Sequence, residues 1–229
     1  LEAPQMASEA KPGQFVMVGC GEDTVLPRPL SIHQRDGNKI ALLFTVVGKG
    51  TAWLSQREAG DKVDIFGPLG NGFSISPSSH NLLLVAGGNG VAPIYFLAQE
   101  ALKKKYSVRL LYGTADRKRY PISPEIKLVS ATEDGSVGHH GMVTELLPAH
   151  IDWADQVFAC GPLAMDKDMA ANYPQLRNKP VQTSLEVRMG CGRGVCYGCT
   201  IKTRSGLKRV CEHGPVFDLN DILWDEVNL

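Results

Sequence analysis

Neither sign of charge is in excess: 24 lysines and arginines stand against 24 aspartates and glutamates. The sequence therefore lacks the basic bias of a nucleic-acid or anionic-membrane binder. It also lacks a long apolar run, since residues 81–86 and 91–98 fall far short of the roughly 20 needed to span a bilayer. The start has no basic segment followed by an apolar one, so no secretory leader is read. It has no initiator Met either, and the chain enters an apolar segment abruptly at residues 11–16, so an N-terminal strand is expected to be missing. No repeat or low-complexity tract is visible. The six cysteines are not spread as in a small disulfide-bonded domain, because Cys20 and Cys160 lie far from four that crowd between positions 191 and 211. A soluble, cytoplasmic chain with metal-binding thiols is expected.

What is present is a globular composition, 43% hydrophobic and 21% charged over 229 residues, enough for more than one core. Residues 1–77 alternate short apolar runs with Gly and Pro, with strands expected at 14–18, 39–47 and 62–66 and a short helix near 51–56; this suits an antiparallel sandwich or small barrel. Residues 78–180 change character. Asn81-Leu82-Leu83-Leu84-Val85-Ala86 reads as a strand buried on both faces, and a Gly-rich turn leads into a helix over 91–105 and a strand over 107–112. Further strands over 127–131 and 156–160 make this an open parallel α/β domain. Residues 181–229 are short, Gly-rich and Cys-rich, and need a metal for stability. The apolar residues of the tail, 218–229, either cap this domain or meet a partner.

Cys191, Cys196, Cys199 and Cys211 form a C-x4-C-x2-C-x11-C pattern, the spacing of plant-type [2Fe-2S] ligation. Gly190, Gly192, Gly194 and Gly198 let amide groups approach the sulfurs. A structural zinc site is the alternative, but four-cysteine zinc ribbons usually offer two C-x2-C knuckles and here the last ligand stands alone.

Arg28-Pro29-Leu30-Ser31 joins a cation for a phosphate to a hydroxyl for a flavin ring nitrogen at what reads as a strand end. Gly48-Lys49-Gly50-Thr51 follows at a helix start, where free amides cradle a pyrophosphate. Gly87, Gly88 and Gly90 lie between strand and helix, where a dinucleotide pyrophosphate binds, although the GxGxxG fingerprint is absent. Cys160-Gly161-Pro162 reads either as a buried Cys before a turn or as the wall of a nicotinamide site. His139 and His140 read as a solvated turn. Arg117-Lys118-Arg119 reads as a solvated loop or, less simply, as a 2′-phosphate site favouring NADP.

Together these motifs resemble the ferredoxin-NADP reductase superfamily. Ser184-Leu185-Glu186-Val187-Arg188-Met189-Gly190-Cys191-Gly192, Cys196-Tyr197-Gly198-Cys199 and Gly214-Pro215-Val216-Phe217 are similar to the electron transfer subunits of NAD-dependent dihydroorotate dehydrogenase B. The resemblance implies an FAD-binding β-barrel, an NAD-binding domain and a C-terminal [2Fe-2S] domain. It also implies a catalytic partner subunit carrying FMN, two of each chain forming a heterotetramer in pyrimidine biosynthesis. FAD contacts are then expected at Arg28, Pro29, Leu30, Ser31, Leu43, Phe44, Thr45, Gly50 and Thr51, and cluster ligands at the four cysteines. No catalytic acid or base is expected in this chain. His213, Thr45 and Asn89 depart from the family's frequent Asp, basic and apolar residues. The rival expectations are the small FAD and [2Fe-2S] subunit of a ferredoxin-dependent NAD(P)H transhydrogenase or a sulfhydrogenase gamma subunit, and a zinc-stabilised interaction module without flavin.

Overall fold

The computed structural model describes residues 1–22 and 24–227. The first sheet is antiparallel and contains β1 (Phe15–Val18), β2 (Arg28–Asp36), β3 (Lys39–Leu42) and β4 (Ile65–Leu69), in the order β3-β2-β1-β4. Helices α1 (Pro4–Glu9) and α2 (Lys49–Ser55) flank it. All four residues of β1 are buried, as a central strand covered on both faces requires. Val16, Val18, Ile32 and Ile40 share one cluster with Ala7 of α1 and Leu54 of α2. The expected barrel is not closed: β3 and β4 are edges, and among the described residues this is an open four-stranded sheet. Arg28 begins β2 instead of ending a strand, because its partner in the β1 ladder is Val18, the last residue of that strand.

The large sheet is built from β5 (Asn81–Gly87), β6 (Ser107–Thr114), β7 (Lys127–Thr132), the two-residue β8 (His139–His140), β9 (Gln156–Gly161) and β10 (Val181–Leu185). These run parallel in the order β10-β9-β5-β6-β7-β8. The period-2 alternation of β5 sends Leu82, Leu84 and Ala86 to a core under α3 (Val91–Lys103), while Leu83 and Val85 face a second core with Met165 and Met169 of α4 (Leu163–Asn172). One strand thus nucleates both layers.

The cysteine-rich segment adds a hairpin, β11 (Thr200–Thr203) and β12 (Gly206–Arg209), then α5 (Val210–His213) and β13 (Val216–Asp218). β13 pairs antiparallel with β10, so residues on both sides of the cysteine loop belong to the large sheet, across the division expected at 180 and 181. Met189, Cys199, Ile201 and Val210 pack with Phe15 and Met17 of β1, which ties the loop to the first sheet as well. The tail caps this core through buried Ile222 and Val227, while Leu219 joins the core under α4, and Trp224 Nε1 donates to the Leu219 carbonyl at 2.9 Å. The last two positions of the expected tail, 228 and 229, lie outside the described residues. No described helix is long and apolar enough to cross a membrane.

Candidate functional site

A cavity of ≈ 400 Å³ opens between the first sheet and the end of β10. Arg28, Pro29, Leu30 and Ser31 line it from β2, Leu43, Phe44 and Thr45 from the segment after β3, and Thr51 from α2. Gly50 stands directly behind: a Cβ there would lie 3.1 Å from Arg28 Nε, a tight contact that would press on that guanidinium. The Thr51 hydroxyl accepts from the Val47 amide at 2.9 Å and shapes the turn into α2. Residues 184–189 form the opposite wall, and Met189 lies two positions before Cys191. Thr45 and Asn89, two of the family departures, meet: Thr45 Oγ1 donates to Asn89 Oδ1 at 2.9 Å, joining the first sheet to the glycine turn.

A second cavity of ≈ 700 Å³ sits at the carboxyl ends of the parallel strands, where open α/β sheets bind ligands. Gly87, Gly88 and Pro162 line it, with Glu133, Glu145 and Asp168. Gly90, Cys160 and Gly161 do not. They make the seam behind it, where a Cβ on Gly90 would fall 2.0 Å from the Cys160 carbonyl oxygen. Arg117 lines neither cavity, while Lys118 and Arg119 border a third space with Leu43, Phe44 and Thr45, and Arg119 donates to the Ser130 hydroxyl. His139 and His140 are exposed on β8, and His139 Nε2 meets Glu145 Oε2 at 2.7 Å. That contact holds the Glu145 carboxyl below its usual range.

Sequence reasoning assigned no role to two acids, Asp166 and Glu186. Asp166 in α4 is fully buried, and burial raises its carboxyl to about 8. Glu186 faces the cavity; protein atoms crowd its carboxyl and push it upward, while the side chain stays accessible from the cavity itself. The buried Cys160 Sγ lies 3.8 Å from Glu186 Oε1, and burial pushes the thiol well up.

The four cysteines come together at the carboxyl side of the chain. Backbone amides point at their sulfurs: Arg193 N to Cys191 at 3.4 Å, Gly194 N to Cys211 at 3.1 Å, Cys211 N to Cys199 at 3.4 Å. The Arg193 amide first, with those of Cys196 and Val195, lowers the Cys191 thiol to about 6, while burial and the neighbouring Cys199 raise Cys211 to about 12. The thiols fall into two neighbouring pairs, 191 with 196 and 199 with 211. Among the described residues no three His, Cys, Asp or Glu side chains are grouped to hold a single ion. Sulfurs paired two by two, with backbone amides directed at them, fit a two-iron centre, whose ligands would divide between two irons. His213, the third departure, accepts from the Arg209 amide through Nδ1 at 3.1 Å and steadies α5.

An antiparallel sheet and a parallel nucleotide-type sheet that share a cavity, with a cysteine loop along its wall, define a ferredoxin reductase-like electron-transfer chain. Residues 186–223 match the model of the iron-sulfur cluster binding domain of dihydroorotate dehydrogenase B. The chain is 41% identical to the dihydroorotate dehydrogenase B (NAD(+)) electron transfer subunit of Desulforamulus reducens, over 98% of this chain and 91% of the relative. It is 40% identical to that of Clostridium acetobutylicum, over 95% and 88%. The chain belongs to the family of dihydroorotate dehydrogenase B (NAD(+)) electron transfer subunits. A chain from the structure of an NADH-dependent reduced ferredoxin-NADP oxidoreductase, solved for insight into flavin-based electron bifurcation, is 31% identical; it superposes with a TM-score of 0.85 over 98% of this chain and 84% of that one. A ferredoxin reductase in carbazole 1,9a-dioxygenase, 18% identical with a TM-score of 0.59 over 74% of this chain and 57% of that one, shares the fold.

Proposed function

We propose that this chain is the electron transfer subunit of an NAD-dependent dihydroorotate dehydrogenase, taking electrons from the FMN of a catalytic partner through [2Fe-2S] and FAD to NAD+. One observation carries the reading: the wall of the first cavity runs without a break into the cysteine loop, Met189 lying two residues from Cys191. A flavin in the first cavity and a cluster in the loop would be joined by that short stretch of chain, residues 189–191. FAD supplies the exchange between single electrons and a hydride that a one-electron cluster and a nicotinamide require.

The residues divide the work. Arg28 offers a guanidinium to a phosphate, Ser31 a hydroxyl to a flavin ring, and Leu30, Leu43 and Phe44 apolar wall. Cys191, Cys196, Cys199 and Cys211 hold the cluster, and the directed amides stabilise its negative charge. NAD enters the second cavity at Gly87, Gly88 and Pro162, with the Cys160 and Gly161 seam fixing their approach. That cavity is lined by three carboxylates and, among the described residues, by no Lys or Arg, so a 2′-phosphate is repelled and NAD is favoured over NADP. Cys196 is exposed, and beside it Val195 and Tyr197 are 73% and 65% exposed. This apolar rim is where the partner seats, in a heterotetramer of two plus two.

The 31% identical bifurcating oxidoreductase chain favours a second reading, the small subunit of a ferredoxin-linked NAD(P)H transhydrogenase. Anaerobic assays with the purified chain separate the two. NAD+ reduction by dihydroorotate only when the catalytic subunit is added supports the first, and a ferredoxin requirement supports the second.

A further inference from the structure

Between the two cavities lies a third space of ≈ 410 Å³, and it shares walls with both. Leu43, Phe44, Thr45 and Asn89 border it and the first cavity, while Gly88, Thr114 and Ala115 border it and the second. The three spaces therefore follow one another across the junction of the two sheets. The Thr45–Asn89 hydrogen bond stands at one crossing and Gly88 of the glycine turn at the other.

Charge is unevenly placed along this path. The second cavity presents Glu133, Glu145 and Asp168 and, among the described residues, no Lys or Arg. The third space presents two cations, Lys118 and Arg119, and one acid, Asp116. Asp116 Oδ1 accepts from the Lys118 backbone amide at 2.6 Å, and the Thr114 hydroxyl donates to the Asp116 carbonyl at 2.7 Å, so the chain after β6 turns back here. Arg119 is anchored by its bond to the Ser130 hydroxyl. Lys118 is exposed, and among the described residues no carboxylate pairs with its ammonium. Arg117 borders none of the three spaces, so the basic run divides and two of its three cations face the path.

The negative charge of NAD sits on its central diphosphate. Three carboxylates oppose a diphosphate in the second cavity, yet they suit an uncharged adenosine, whose ribose hydroxyls donate to carboxylate oxygens. The nicotinamide has to reach the flavin in the first cavity. What joins adenosine to nicotinamide then crosses the third space, where the cations are.

We propose that Lys118 grips the diphosphate of NAD in the third space, with Arg119 adding to the field, so that the dinucleotide bridges the second cavity and the flavin. The proposal rests on the flavin and NAD reading above and involves no bond change. Lys118→Gln and Lys118→Glu, at an exposed position, test it on the oxidised, flavin-loaded chain, with Lys118→Arg as the conservative variant. Calorimetry should show NAD+ and ADP-ribose bound about tenfold more weakly by Lys118→Gln, more weakly still by Lys118→Glu, and near wild-type strength by Lys118→Arg. Adenosine, which has no phosphate, should bind all four proteins alike. Added salt should weaken NAD+ binding to the wild type more than to Lys118→Gln. Unchanged NAD+ and ADP-ribose affinity in both the Gln and Glu variants overturns the proposal, as does an equal weakening of adenosine. Loss of FAD from Lys118→Gln also overturns it, by giving the lysine to the flavin's diphosphate. A wild-type chain that holds FAD but binds neither NAD+ nor adenosine would instead overturn the reading of the second cavity.

Discussion

At the residue scale, consequences are sharpest where an atom has no room or no partner. Gly90 has an ordinary helical φ of −57°, so its need for glycine is one of space: a Cβ would meet the Cys160 carbonyl at 2.0 Å. Gly90→Ala forces β9 from the glycine turn, and we expect a loss of about 3 kcal/mol in denaturant unfolding. Asp166 carries a pH signature with a definite sign. Its folded pKa, about 8, lies above the ordinary 3.8, so its contribution to stability is fully present below pH 4 and is lost as pH rises toward 8. Asp166→Asn removes that loss, and unfolding at pH 8 compared with pH 4 should show a relative gain on the order of 5 kcal/mol. Equal slopes for the two proteins would contradict the assignment. The cluster cysteines were readable because metal ligation imposes a spacing on the sequence itself. Asp166 and Glu186 were not, since nothing local separates a buried Asp in α4 from a surface one; its neighbours arrive from β9 and β10, six and seventeen residues or more away.

At the scale of elements, β5 was legible because a strand covered on both faces must be apolar throughout. Of β2 only a strand end at Arg28 to Ser31 was read: Pro29 and the polar residues from Ser31 to Asp36 mask the strand that starts there, and only pairing with β1 and β3 reveals it. The sandwich or small barrel expected from the turn spacing is, among the described residues, an open sheet, because spacing reports strand length and says nothing of closure. Composition likewise set a boundary at 181, whereas hydrogen bonding carries β10 and β13 into the large sheet. The Thr45–Asn89 bond links the two sheets' loops beside the first cavity. Asn89→Ala should lower global stability by less than about 1 kcal/mol, since the bond is exposed, while speeding amide exchange in residues 43–47. Unchanged exchange there would show that the bond does not restrain this wall.

Across the whole molecule, the cysteine loop holds both sheets at once: Met189 and Val210 pack with Phe15 and Met17, and β13 pairs with β10. That arrangement sets the loop against the cavity on one side and leaves the rim of Val195 and Tyr197 outward. Tyr197→Asp should weaken association with the catalytic subunit at least about tenfold while leaving bound FAD unchanged, because a buried unpaired charge is strongly disfavoured at an interface. Binding of equal strength would move the partner elsewhere. The most direct measurement is iron, inorganic sulfide and FAD content of the anaerobically purified chain, alongside Cys196→Ser. The account predicts two irons, two sulfides and one FAD per wild-type chain, and in the variant loss of iron and sulfide with FAD retained. A folded wild-type chain carrying one zinc, or no iron at all, would contradict it.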